Sequence, residues 1–347
     1  MSKRSSTKRT VLNVLCVVLA LILTVMVGAT IYVESMFNQI GELNQETMSS
    51  SDAQELLEQT EGTLNPDFTA PAIDPSDVTM PSEPAEVIVS GENIINIILV
   101  GQDRREGQGR QRSDAMILCT LNKNKKTITM TSFLRDTYVS IPGYYSQRMN
   151  VAYMLGGFKT LNATLEHNFG VSADHCIEVD FSGFEGIVNA LGGVDVELTK
   201  EEADYLNRRG NWEVEDNVDW HLTEGVNTLI GSQAVAYSRI RALDSDWGRS
   251  NRQKTVLSAI VQKAKTMDLT QLNAFVNQVL PMIATDMTPS EITGYVLELF
   301  PLLSDLQVVS QTIPASGTWQ YATIKGNAVI TVDFEKNQKL LRDTLGE

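Results

Sequence analysis

Between Tyr237 and Gln253 the chain reads YSRIRALDSDWGRSNRQ, which sets Arg239, Arg241, Arg249 and Arg252 among Asp244 and Asp246. Planar guanidinium groups make paired hydrogen bonds to phosphate oxygens, and several around one point neutralise a diphosphate better than flexible lysines do. The crowding asks for an anionic ligand. A second set of polar residues comprises Asp103, Arg112-Ser113-Asp114 and Arg135-Asp136. Asp103 and Asp114, together with substrate phosphates, would suit a hard cation such as Mg²⁺, which needs no all-protein cage. Any one of these Arg or Asp residues reads equally well as solvated surface with weak ion pairs. Their joint pattern is what points to phosphate.

Other chemistries find little support. His167, His175 and His221 lie away from these motifs, so histidine acid-base catalysis is not expected. Cys16, Cys119 and Cys176 are odd in number and form no short-spaced pair, which suggests neither a disulfide framework nor a zinc site. Gly156-Gly157 and Gly192-Gly193 match no P-loop or dinucleotide fingerprint and read as turns or helix ends. Trp247 could stack on a sugar or a lipid, or simply pack; Trp212, Trp220 and Trp319 carry no signal of their own.

The elements that must position these residues can be read in outline. Asn93–Val100 (NIINIILV) is a buried strand, followed by a polar loop from Gly101 to Ser113. Met116–Leu121 and Thr127–Leu134, separated by NKNKK, form an antiparallel hairpin whose far end delivers Arg135 and Asp136. Asp103, Asp114 and Arg135 would then converge at one sheet edge, where ligands of open α/β sheets bind. Helical spacing follows over Asn150–Asn168, then a strand at Cys176–Asp180, a helix near Phe181–Leu191 and a strand at Val194–Leu198. Further helices fit 231–241, 249–267, 269–284 and 290–303, with late strands at 305–314 and 328–332. Strands alternating with helices predict an α/β fold, an α-β-α sandwich around a central mixed β-sheet. Arg239 and Arg241 are two residues apart, which on a helix turns them about 200° away from each other. Both can face one ligand only if the helix breaks near Ile240.

The amino-terminal part has a different character. Val11–Val33 holds no Asp, Glu, Lys or Arg, and its 23 residues, at about 1.5 Å each, cover a hydrocarbon core of roughly 30 Å. Lys3, Arg4, Lys8 and Arg9 precede it and no basic residue follows until Arg104, so the N-terminus is expected in the cytoplasm and the rest outside. Small residues at Val27-Gly28-Ala29 allow a cleaved signal peptide instead, but the run exceeds the usual apolar core of about 7–15 residues. Thirteen acidic residues and no basic ones between Glu34 and Glu92, with Pro66, Pro71, Pro75, Pro81 and Pro84, predict a stiffened, solvated linker. That stretch accounts for most of the −15 formal charge. The organisation expected is a tail (1–10), a single transmembrane helix (11–33), a linker (34–92) and a catalytic domain (93–347).

Several segments in order resemble the LytR-CpsA-Psr signatures: Gly101-Gln102-Asp103, Arg112-Ser113-Asp114-Ala115-Met116, Ser132–Thr137 (SFLRDT), Asn150-Val151-Ala152-Tyr153 and Tyr237–Gln253, joined by Val188–Glu197 (VNALGGVDVE). The resemblance spans about residues 93–347. It implies a membrane-anchored α/β enzyme that moves a glycan-phosphate from a polyprenyl-diphosphate carrier to peptidoglycan, at the 6-hydroxyl of N-acetylmuramic acid, releasing polyprenyl phosphate. Carried over by residue, it implies Mg²⁺ or Mn²⁺ on Asp103 and Asp114. Arg135, Arg148, Arg239, Arg241, Arg249 and Gln253 would bind the diphosphate, and Asp246 would act near the reacting centre with Arg135 and Arg241. Asp246 or Asp136 would be the general base. Arg148, Trp247 and Asn251 depart from residues common in the family. The apolar faces of Phe184–Leu191 and Val256–Ala264 would line a tunnel for the lipid tail. Two rivals stay open: a hydrolase that cleaves the carrier diphosphate with water, and a non-enzymatic envelope regulator. The acidic balance and outside location speak against nucleic-acid contact.

Overall fold

The computed structural model describes residues 40–53, 70–88, 91–102, 104, 109–208 and 220–346. The chain runs through β1 (Gly41–Glu42), β2 (Ile94–Gln102), β3 (Ser113–Asn122), β4 (Thr127–Phe133), β5 (Tyr138–Val139) and β6 (Gln147–Arg148) to α1 (Met149–Phe169) and β7 (His175–Asp180). It continues as α2 (Phe181–Ala190), β8 (Val194–Leu198), α3 (Lys200–Leu206), β9 (Gly225–Leu229), α4 (Gly231–Arg239), α5 (Asp246–Ala264) and α6 (Leu269–Val279). The last elements are β10 (Ala284–Thr285), α7 (Pro289–Leu299), β11 (Gln307–Ile313), β12 (Trp319–Ile324), β13 (Asn327–Val332) and α8 (Phe334–Leu345).

Seven strands form one mixed sheet in the order β1-β10-β7-β2-β3-β4-β11. β2, β3 and β4 are antiparallel neighbours, while β7 joins β2 and β11 joins β4 in parallel. The apolar run of β2 is explained by burial on both faces. Ile98 and Val100 pack with α1 residues such as Tyr153 and Leu161, while Ile95 and Ile97 pack on the opposite side with Tyr295 of α7. On that opposite side α5 lies across β4 and β11. Helices therefore cover both faces, and the expected sandwich with a mixed sheet is present.

The described parts of 34–92 are not a free linker. β1 is an edge strand of the sheet, with Gly41 N donating to Ile283 O at 3.1 Å, and Ala53 is fully buried. Ile73 N and Thr323 N exchange hydrogen bonds with Thr323 O and Pro71 O, and Ile88 N donates to Gly170 O at 2.7 Å. A proline-rich acidic chain can still satisfy its remaining backbone groups on a neighbouring edge, and these segments do so. Among the described residues no helix is long and apolar enough to cross a membrane. The Val11–Val33 run lies outside the described residues.

Candidate active site

Because β3 runs antiparallel to β4, the start of one and the end of the other meet at one edge of the sheet. Asp114, second residue of β3, accepts a hydrogen bond from Arg135 Nη1 at 2.7 Å, just beyond β4. The loop after β4 is pinned to the start of α1: Met149 N donates to Thr137 O at 2.8 Å and Asn150 N to Arg135 O at 3.0 Å. That pinning sets Arg148 Nη1 3.3 Å from Asp136 Oδ1.

α4 ends at Arg239, and Ile240 is buried with an extended ψ of 124°, the break expected from the spacing of the two arginines. The break sends the two guanidiniums apart. Arg239 lies over the Phe181 ring, 4.6 Å from its centroid, whereas Arg241 Nη2 reaches within 3.5 Å of Asp114 Oδ1. Arg252, buried on α5, holds this turn in place: its Nη groups bond both Asp244 oxygens at 3.0 and 2.7 Å, and its Nε donates to Glu202 at 2.7 Å. α5 then opens with Asp246 in its first turn, and Arg249 Nη2 pairs with Asp246 Oδ1 at 3.0 Å. Gln253 follows Arg249 by four residues on the same helix, and so on the same face. Asp103 lies outside the described residues.

The electrostatics are those of a partly buried cluster with excess positive charge. Arg112, Arg135, Arg148, Arg241 and Arg249 face Asp114, Asp136 and Asp246. Burial, and then repulsion from Arg148 and Arg135, lower the pKa of Arg112. Arg249 is 4% exposed, and its Nε and Nη1 have no hydrogen-bond partner. Burial, and then repulsion from Arg135, push it down to about 10. For Arg135 burial acts the same way, but Asp136, Asp246 and Asp114 outweigh it and raise its pKa. Asp136 and Asp246 lie close enough to influence each other, and their pKa values shift in opposite directions. Burial raises the Asp136 carboxyl; at Asp246 burial is outweighed by Arg249, the Asp136 hydrogen bond and Arg135, and the pKa falls.

Asp114 offers the hard oxygen donors a divalent cation prefers, but its Oδ1 is already engaged by Arg135 and Arg241. Among the described residues no cluster of three or more His, Cys, Asp and Glu side chains could enclose a metal. The sequence placed Arg112 and Arg252 among these polar residues but gave neither a role: that Arg112 joins the cluster and that Arg252 clamps the turn depend on partners distant in sequence.

Fold and site together define a class: an α/β sandwich whose sheet edge carries a buried arginine-carboxylate cluster, net cationic and shaped for a phosphorylated ligand. Residues 47–343 match the LytR_cpsA_psr family, and the chain belongs to that family. It is 33% identical over 223 residues to the polyisoprenyl-teichoic acid–peptidoglycan teichoic acid transferase TagT of Bacillus subtilis, an alignment covering 63% of this chain and 67% of the relative. Among solved structures, TagT bound to LI-WTA aligns with a TM-score of 0.61 at 27% identity, covering 78% of this chain and all of the other. The family protein YwtF (TagT) with bound octaprenyl pyrophosphate lipid aligns with a TM-score of 0.57 at 26% identity, again over 78% of this chain and all of the other.

Proposed function

We propose that this protein is a membrane-anchored transferase that moves a teichoic acid or related glycopolymer from a polyprenyl-diphosphate carrier to peptidoglycan. The observation that carries the reading is Arg249: a nearly buried guanidinium with unpaired Nε and Nη1, crowded by further arginines at the edge where Asp114, Asp136 and Asp246 meet. A buried cation left short of partners is costly, and a diphosphate would complete it. The names and bound ligands of the relatives point the same way, to wall teichoic acid and a polyprenyl pyrophosphate.

The reaction is an in-line displacement. The acceptor hydroxyl oxygen bonds to the glycan-linked phosphorus, the bridging P–O bond to the lipid phosphate breaks, and polyprenyl phosphate leaves with that electron pair. Arg135, Arg241 and Arg249 stabilise charge on the phosphate oxygens, preorganised by Asp114 and Asp246. Asp246, whose pKa Arg249 holds down against burial, takes the hydroxyl proton. Little early deprotonation is needed, because phosphoryl transfer passes through a loose transition state. Arg148 supports the site through Asp136, and Gln253 adds a neutral donor along α5. Arg239, stacked on Phe181, belongs to the rim. Asp103 and Asp114 would hold Mg²⁺ or Mn²⁺, which when bound supplies further neutralisation of the diphosphate. The lipid tail would lie where Phe184, Ile260 and Phe275 meet between α2, α5 and α6.

Full-length protein, a short-chain polyprenyl-diphosphate glycan and peptidoglycan oligomers test the reading. Glycan joined to peptidoglycan is the expected product, and Arg249→Lys, which keeps charge but loses the fork, should slow transfer roughly 10²-fold at an unchanged melting temperature. Free glycan phosphate as the only product would make the protein a hydrolase.

A further inference from the structure

A groove of about 1000 Å³ runs between residues 77–86 and the β12–β13 ribbon with the start of α8. Trp319 of β12 lines it. The same ring stacks on Trp247 with centroids 4.1 Å apart and planes 27° apart. Tyr321, two residues along β12 and so on the same face, meets both indoles edge-on at 5.0 and 6.3 Å. Trp247 directly follows Asp246, and burial together with the charges of Asp246 and Asp136 raises the Tyr321 phenol pKa. One aromatic shelf thus starts beside Asp246 and ends in the groove. Trp247 and Trp319 pack against the main core, while Tyr321 remains 39% exposed.

The negative face of an aromatic ring attracts the slightly positive C–H face of a sugar, and polar groups around it can take the hydroxyls. The groove walls also choose between the two glycans of the reaction. Asp77, Glu83, Glu86, Asp333 and Glu335 line it against Lys336, a field that repels a phosphate-rich donor polymer and leaves a neutral amino-sugar strand unopposed.

We propose that the groove and the Trp247–Trp319–Tyr321 shelf bind the acceptor glycan strand and lead its hydroxyl to Asp246. The proposal rests on the transferase reading above. The test titrates the full-length protein in detergent with chitotetraose, a soluble amino-sugar oligomer, followed by tryptophan fluorescence, alongside acceptor and donor KM in the transfer assay. Saturable binding is expected. Trp319→Ala should weaken it roughly tenfold, about one aromatic contact, and raise the peptidoglycan KM by a similar factor while kcat and the donor KM stay put. Trp319→Phe keeps a packed ring, and with a wild-type melting curve it should weaken binding less than Trp319→Ala. Glu83→Arg, on an exposed wall, should let free teichoic acid compete where it does not compete with the wild type. Absence of chitotetraose binding to active wild-type enzyme would overturn the groove alone. Oligosaccharide binding without any transfer would leave the groove standing and remove the transferase reading. A Trp319→Ala effect on the donor KM would give the groove to the donor glycan and overturn the proposal.

Discussion

Lys254 is 4% exposed beneath α5, with Nζ donating to Thr312 Oγ1 at 2.6 Å and Gln311 O at 3.1 Å. Burial pushes its pKa down to about 8. A depressed lysine costs stability while it is charged in the folded state, so the cost is full below pH 8 and fades as pH rises toward the unfolded lysine value near 10.4. Lys254→Met should therefore raise stability at pH 7 by about 1–3 kcal/mol, less whatever Thr312 and Gln311 lose as partners. Urea unfolding from pH 7 to 10.5 should show that gain shrinking above pH 8. A constant gain across the range would mean that burial does not depress the lysine pKa. Residues of this kind are hard to read from a sequence, because Lys254 occupies a helix position like any surface lysine. The arginines were legible as a set because Arg239, Arg241, Arg249 and Arg252 crowd a short span. Their division of labour was not. Which one clamps Asp244 and which faces Asp114 depends on the helix break at Ile240 and on partners such as Glu202, far away in sequence.

At the scale of elements, periodicity recovered β2, the β3–β4 hairpin, β7, α2, α4 and α5 to within a few residues, since each buries a regular apolar pattern. It did not recover α3, β9, β12 or α8. β12 lies in a short two-stranded ribbon with only Ala322 and Ile324 buried, and α8 is a polar helix anchored by Phe334, Leu341 and Leu345. The Gly156-Gly157 pair was read as a turn or helix end, but it kinks the interior of α1, with Gly157 at φ +59° and ψ −149°. The kink makes room for the chain around Asn44: a Cβ on Gly157 would stand 2.7 Å from Asn44 O, and Met48 N donates to Leu155 O at 2.8 Å. Arg110 ties the same segment down by donating to Asn44 O and Glu46 O, each at 2.6 Å. Gly157→Ala should cost roughly 1–3 kcal/mol, because that backbone region is essentially glycine-only, and should release the segment. Hydrogen exchange at the Met48 amide is the direct readout. Unchanged protection there would show that Arg110 and the Tyr144 hydroxyl, which donates to Met48 O at 2.7 Å, hold the segment alone.

At the scale of the whole molecule, docking of residues 40–53 bears on how the domain stands at a bilayer. If Val11–Val33 spans the membrane, six residues separate its end from Ile40, which packs in the cluster around Leu280. The seven Cα–Cα steps from Val33 to Ile40 reach at most about 25 Å. The β1 edge of the sheet is then held close to the membrane rather than on a long tether, near the place where a lipid-linked substrate must leave the bilayer. On that reading the basic tail would set the direction, keeping Lys3, Arg4, Lys8 and Arg9 inside and placing the domain outside. Intact protoplasts carrying the full chain with an N-terminal epitope offer the test. An added protease should reach the domain side, while the N-terminal epitope stays protected until the membrane is permeabilised. Adding four Asp residues to the tail should matter little, since the rule counts Lys and Arg, whereas replacing the four basic residues by Gln should send a fraction of the chain the other way. A domain shielded from protease in intact protoplasts, with an accessible N-terminal epitope, would reverse the orientation and place the Asp246 edge where no peptidoglycan acceptor exists.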